Sequence, residues 1–373
     1  MTVQETLYAM ALTRLGGTGT TALQFYQKAG SAQAVYENRN NIRDVVPDAS
    51  DRLLRAFRDW DPALKRAEQE LEFMLNKRIS CLCIADAKYP QRLAQCEDAP
   101  LVLYYAGRAD LNVRRIIAVV GTRHATVYGN DCIRRLIAAL KDCSPETLVV
   151  SGLAYGADIC AHRESLRHGF KTVGVLAHGL DTLYPSSHRD TANEMVEQGG
   201  LLTEYMSHTP ADKQNFVRRN RIVAGMSDAT IVVESAAHGG SLITARIAQD
   251  YNREVFAFPG AVTAEYSQGC NNLIRDNGAR LITSAEDLVQ AMRWDDEQTL
   301  MRKKAAGIER SLFPNLTPEE QAVVDVLAQT DMLKADMLAV QTDMPISRIT
   351  SLMFELEMKG VVKLYAGGVY HLL

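Results

Sequence analysis

The sequence predicts an α/β fold: a doubly wound parallel sheet, with a small helical module before it and a winged helix after it. Three observations carry that expectation. Short, apolar, mostly β-branched segments alternate with amphipathic stretches of helical period between residues 61 and 294. The residues before this region show helical spacing alone. From Leu316 onward, three helical segments lead into a glycine-turned hairpin.

At the N-terminus, Leu7, Leu12 and Leu15 lead into Gly16-Gly-Thr-Gly19 and then Leu23, Phe25 and Tyr26. A glycine turn between helices is the pattern of a helix-hairpin-helix or SAM-like module, placed here at residues 1–60. Such a hairpin can hold a phosphate on the backbone N–H groups of its second helix, or simply pack on the main domain.

The expected sheet domain covers residues 61–294. Its buried strands read at Ile116–Val120, Leu148–Val150, Thr172–Leu176, Leu201–Thr203, Thr230–Val233 and Val255–Phe258. Helical stretches lie between them at Asp131–Leu140, Ala157–Arg167, His188–Glu197, Phe216–Ala224 and Leu242–Asp250. Right-handed crossovers then make the sheet parallel. Ile79–Ile84 and Leu101–Tyr105, ahead of this series, extend it. Residues 295–315 lose apolar periodicity, carry Arg302-Lys-Lys304 and read as a linker. In residues 316–373, helix starts are signalled by Thr317-Pro318 and Pro345-Ile-Ser347, and the end from Gly360 to His371 reads as the wing.

Composition narrows the function classes. A formal net charge of -4 excludes a protein that coats nucleic acid by bulk charge. The start Met1-Thr-Val-Gln-Glu5 lacks the pattern of a secretory signal, and no segment has the length to span a membrane. The seven cysteines are scattered without metal-ligand spacing, so reduced thiols, no metal and a cytoplasmic location are expected. There is no G-x4-G-K-[ST] and no clean G-x-G-x-x-G, so no nucleotide cofactor is expected.

Against that acidic background, Lys213-Gln-Asn-Phe216-Val-Arg218-Arg219-Asn220-Arg221 packs four cations and an aromatic into one short run. Like charges repel, so such a cluster calls for an anion or for solvent on an exposed helix face. In open parallel sheets, ligands bind at the carboxyl ends of the strands. There the sequence sets Gly121-Thr-Arg123, Ser151-Gly-Leu-Ala-Tyr155-Gly-Ala-Asp158 and Glu234-Ser-Ala-Ala-His-Gly239-Gly240-Ser241. Gly239, Gly240 and Ser241 ahead of a helix form a phosphate cradle or a tight turn with a serine cap. Arg123 holds a phosphate or caps a carbonyl. Glu234 is the one carboxylate placed for acid–base work, with a structural hydrogen bond as the other reading. His162, His178, His188 and His238 name no triad or metal spacing. Cations beside an aromatic, near N–H-rich turns, suit single-stranded nucleic acid, with phosphates on the cations and a base on the ring.

These motifs are joined by Tyr89-Pro-Gln-Arg-Leu93, Gly179-Leu-Asp181, Tyr184-Pro185, Phe258-Pro-Gly260 and Asn271-Asn-Leu-Ile-Arg-Asp-Asn-Gly-Ala279. In this order the series resembles the DNA-processing protein A family (DprA, also called Smf). The resemblance implies an extended Rossmann domain between a helical module and a winged helix. It implies a non-enzymatic recombination mediator that protects incoming single-stranded DNA and loads the RecA recombinase during natural transformation. It also implies displacement or bypass of single-strand binding protein, and a homodimer formed through the Rossmann domain, for which Leu273–Leu288 is the expected surface. Carried over by motif, the DNA site is Arg123, Lys213, Phe216, Arg218, Arg219, Asn220, Arg221 and Gly239–Ser241, with no catalytic residue. Tyr155 stands where the family has arginine, leaving open whether that loop touches phosphate, stacks a base or packs. The tail from Leu316 holds four cations against eight acids, which predicts weak duplex binding and a protein-contact or spacing role. The enzymatic alternative is a Rossmann-type nucleotide phosphoribohydrolase using Glu234, although that family's Pro-Gly-Gly-x-Gly-Thr loop is absent.

Overall fold

The computed structural model describes residues 2–15, 20–47, 49–294, 316–330, 333–359, 361–365 and 369–372. The Gly16–Gly19 turn, the linker at 295–315 and the wing's Gly367-Gly368 turn lie outside the described residues. The chain divides into two compact units, 1–294 and 295–373.

Among the described residues the first unit opens with six helices: α1 (Val3–Leu15), α2 (Thr20–Ala29), α3 (Ala32–Glu37), α4 (Ile42–Val45), α5 (Asp51–Arg58) and α6 (Asp61–Lys77). Leu12, Phe25, Phe57 and Trp60 are buried in the same apolar cluster as Leu103 and Tyr104 of the sheet. No break in packing marks the 60/61 position. The helical segment and the sheet share one core, in which the Phe25 and Phe57 rings stack with centroids 4.6 Å apart.

The sheet contains β1 (Ser80–Cys83), β2 (Val102–Gly107), β3 (Ile116–Val120), β4 (Leu148–Ser151), β5 (Thr172–Val175), β6 (Gly200–Thr203), β7 (Ala229–Val232), β8 (Glu254–Ala257) and β9 (Arg280–Leu281). Its order is β1-β2-β6-β5-β4-β3-β7-β8-β9. From β6 to β9 all neighbours are parallel. The parallel expectation needs correction at one edge, because β2 runs antiparallel to both β6 and β1. Between β1 and β2 the only helix is the single turn α7 (Gln91–Ala94), too short for a parallel crossover.

The remaining helices of this unit are α8 (Val127–Cys143), α9 (Ala157–Arg167), α10 (Arg189–Gln198), α11 (Lys213–Met226), α12 (Gly240–Asp250), α13 (Gln268–Arg275) and α14 (Ala285–Ala291). Strand β3 shows why both faces are covered. Ile117 and Val119 pack with Ile133, Ile137 and Leu288, while Ile116, Ala118 and Val120 pack with Ile222, Val223 and Ala245. Period-2 alternation therefore feeds two cores at once. Strand order reverses around β3, which has β4 on one side and β7 on the other. That switch point opens a crevice at the carboxyl ends of the strands.

The second unit orders α15 (Pro318–Gln329), β10 (Leu333–Lys334), α16 (Ala335–Thr342), α17 (Ile346–Met358), β11 (Val362–Tyr365) and β12 (Val369–Leu372), with an antiparallel sheet β10-β12-β11. This is a winged helix. A capping box starts α15: Thr317 Oγ1 accepts from Glu320 N–H, and Glu320 accepts from Thr317 N–H at 2.8 Å.

Candidate nucleic-acid interface

The crevice at the switch point is a cleft of about 680 Å³. Loops after β3 and β4 form one side, and the first turns of α11 and α12 form the other.

Helix α11 starts where Asp212 accepts a hydrogen bond from Asn215 N–H at 2.9 Å. Of the basic run, Lys213, Phe216, Arg219 and Asn220 line the cleft, with Val217 beside them, Arg219 from its buried floor. The Phe216 ring is only part-buried. The Arg123 guanidinium lies over it, 5.1 Å from the centroid, and the Tyr184 ring meets it edge-on at 5.7 Å. Arg123 thus extends an aromatic surface rather than capping a carbonyl.

Two members of the expected basic cluster are corrected. Arg219 is 4% exposed, and it donates to the carbonyls of Gly152 (2.7 Å) and Val175. Burial pulls its pKa below the ordinary arginine value, with Asp158 opposing that shift, while burial pushes the Asp158 carboxyl up. Asp158 in turn accepts from Gly152 N–H at 3.1 Å. A Cβ at position 152 would sit 2.4 Å from the Arg219 guanidinium, so any side chain there would push Arg219 out of place. Arg221 pairs with Glu204 at 2.5 Å, with both side chains nearly buried, and it does not line the cleft. Arg218 is exposed but also lies outside the cleft lining. The physical reason is helical geometry. At 100° per residue, consecutive residues distribute around the whole helix, so a run dense in sequence is not one basic wall.

Beside α11, Gly239 caps α12 without any side-chain hydrogen bond. Ser241 is not the cap. Its Oγ is buried and, among the described residues, has no hydrogen-bond partner, and the residue lines the cleft. The space where a Gly240 side chain would stand is open. An uncapped helix start, with its dipole and free N–H groups, plus an unpartnered hydroxyl, makes a site for a phosphate oxygen.

The loop after β4 approaches through Gly156, which has φ +75; a Cβ there would meet Thr122 O at 2.3 Å. Tyr155 is 46% exposed and packs edge-on against His188 at 5.0 Å, outside the cleft lining. Tyr184 is the site residue that residue-level reasoning missed. Its backbone N–H donates to His178 Nε2 at 3.2 Å, which fixes the turn carrying the ring. The Tyr184-Pro185 dipeptide was the available signal.

The acid–base reading of Glu234 is corrected as well. It is 4% exposed, and its carboxylate accepts from Thr126 N–H (2.8 Å) and Thr126 Oγ1 (2.7 Å), anchoring the start of α8. His162, His178 and His188 are buried with hydrogen-bond partners at Thr172 Oγ1, Gly179 O and Leu153 O. Burial lowers the His162 pKa to about 3. Among the described residues no group of three or more His, Cys, Asp or Glu could hold a metal, and no helix is long and apolar enough to cross a membrane.

In the winged helix, α17 presents Ile346, Phe354 and Met358 to solvent. Its Arg348 is paired with Glu319 (2.5 Å), and Lys359, next after the helix, is paired with Glu320 (2.7 Å).

The chain matches the family described as DNA recombination-mediator protein A over residues 80–293, and the DprA winged helix domain over residues 310–368. It is 32% identical over 330 residues to a Synechocystis sp. protein named Smf, covering 81% of this chain and 82% of that one. The X-ray structure of DNA processing protein A from Streptococcus pneumoniae superposes with a TM-score of 0.65 at 31% identity, over 77% of this chain and 97% of that one. DNA processing protein A from Helicobacter pylori, described for its single-stranded DNA binding mode, gives a TM-score of 0.52 at 28% identity, over 58% of this chain and 97% of that one.

Proposed function

The chain belongs to the DNA recombination-mediator protein A family, and from that premise we propose that it binds single-stranded DNA in the switch-point cleft. The observation that carries this reading is the composite surface of Phe216, Arg123 and Tyr184, flanked by Lys213 and the uncapped start of α12. A base stacks on the aromatic surface, which discriminates little between bases. A phosphate oxygen meets Ser241 Oγ and the first N–H groups of α12, and Lys213 neutralises a neighbouring phosphate. Arg219 acts from beneath by holding Gly152, and with it the cleft floor, in position.

The role is binding rather than catalysis: Glu234 anchors the start of α8 through Thr126, and the Pro-Gly-Gly-x-Gly-Thr loop of a phosphoribohydrolase is absent from the sequence. The finer role follows the family. The protein protects incoming strands during natural transformation, loads RecA onto them in place of single-strand binding protein, and works as a homodimer through the region Leu273–Leu288. Residues 1–60 serve as a packing module for the sheet domain, and 316–373 as a protein-contact domain, with both cations of its presumed recognition segment already paired. The test of the cleft is fluorescence anisotropy with labelled oligo-dT. Lys213→Ala is expected to weaken binding and to reduce the magnitude of the log–log salt slope by about 0.7. An unchanged affinity and slope would refute the cleft.

A further inference from the structure

We infer that the bound strand is gripped at a second point, a nucleobase pocket formed by Tyr128, Tyr266 and Glu234 beside the cleft. The inference rests on the cleft reading and deepens it. A separate cavity of about 560 Å³ is lined by these three residues together with Thr126, Gly260 and Ser267. Two of its three segments also border the cleft, and the third, residues 260–267 between β8 and α13, belongs to the cavity alone. Arg123 lines the cleft and Thr126 the cavity, on the β3–α8 loop; Ala236 and Gly239 line the cleft and Glu234 the cavity, on the β7–α12 loop. Three residues from Arg123 to Thr126 span at most about 11 Å. That is about three nucleotides at the ~3.4 Å rise of a stacked strand.

The chemistry of the lining selects the occupant. The Tyr128 ring is 46% exposed, yet its hydroxyl is tied to the Pro259 carbonyl. The His124 ring stacks on Tyr266, centroids 6.3 Å apart and 28° from coplanar. Both tyrosines are therefore set in place before a ligand arrives, which reduces the entropy lost on binding. The carboxylates of Glu234 and Glu265 line the cavity and repel a phosphate. A flat neutral ring with N–H donors meets no such objection. Each oxygen of the buried Glu234 carboxylate takes one hydrogen bond from Thr126 and retains a lone pair. Gly129 allows this placement, since a Cβ there would stand 2.1 Å from Glu234 Oε2. The pocket accordingly favours adenine, cytosine or guanine, whose exocyclic amino group donates to the carboxylate, over thymine, whose N3–H is flanked by two carbonyls.

A single 2-aminopurine scanned along an oligo-dT tests this, with emission reporting stacking and anisotropy reporting affinity. Wild-type protein should quench the probe at two separate registers. Phe216→Ala should restore emission at one. Tyr266→Ala or Tyr128→Ala should restore it only at the other and weaken binding about tenfold, the scale of one lost stacked base. Tyr266→Phe keeps the ring and should keep the quenching. Oligonucleotide bound by wild-type protein with no register dependent on Tyr128 or Tyr266 would overturn the pocket and leave the cleft standing. Failure of wild-type protein to bind any oligonucleotide would remove the cleft, and the pocket with it.

Discussion

Replacing Phe216 by alanine isolates the stacking component of DNA binding from the ionic one. The substitution removes the ring on which Arg123 lies and against which Tyr184 is set. A base loses roughly 1–3 kcal/mol of stacking, while the cation–π contact of Arg123 is already made in the free protein and adds nothing to that figure. A stacking loss of about 2 kcal/mol corresponds to a roughly thirtyfold weaker Kd. No phosphate contact is removed, so the salt slope should be unchanged, in contrast to Lys213→Ala. The ring is part-buried at the edge of the cleft, so the fold should survive. The assay is anisotropy with oligo-dT across a salt series, with Phe216→Trp as the variant that retains a stacking surface. Affinity within twofold of wild type, or a loss that appears as a change of slope, would refute the stacking role.

Other outcomes follow from the same geometry. Arg221→Ala should destabilise the protein by a few kcal/mol, up to about 3, because the nearly buried Glu204 loses its ion-pair partner; urea unfolding measures this, and a stable variant with weakened DNA binding would contradict the assignment. The folded protein holds His162 neutral down to about pH 3, whereas the unfolded chain takes up a proton near the ordinary histidine value. Stability should therefore be intact above about pH 6.5 and fall as the pH drops from there toward 3, a dependence that His162→Gln flattens. Thr317→Ala removes the cap of α15 and should cost the winged helix about 1 kcal/mol, read as faster amide exchange at residues 321–329 of the full chain. Changing Arg348 and Lys359 together to alanine should leave duplex binding by the whole protein unaltered, since both cations are already paired.

The central parallel strands were legible because burial on both faces imposes continuous β-branched runs: β3 falls on Ile116–Val120, and α9 on Ala157–Arg167, as read. Strand direction at the β1–β2 edge was not legible. It depends on the length and content of the connection rather than on side-chain pattern. Strand β9 was missed because its two residues, Arg280 and Leu281, are both exposed and carry no apolar signature. At the site, Lys213, Phe216 and Asn220 could be read from spacing along one helix. The fate of Arg219 and Arg221 could not, because their partners Gly152, Val175 and Glu204 come from other segments. Tyr184 reaches Phe216 through a turn held by His178, a tertiary contact with no local pattern.

Strand preference is the most direct measure of the central claim. Oligo-dT and a matched duplex, each titrated at two salt concentrations, should separate clearly: the single strand should bind much more tightly at both, with stacking retained at the higher salt. Equal affinity for both forms, vanishing together as salt rises, would mean a generic phosphate attraction and would contradict the cleft as a single-strand site.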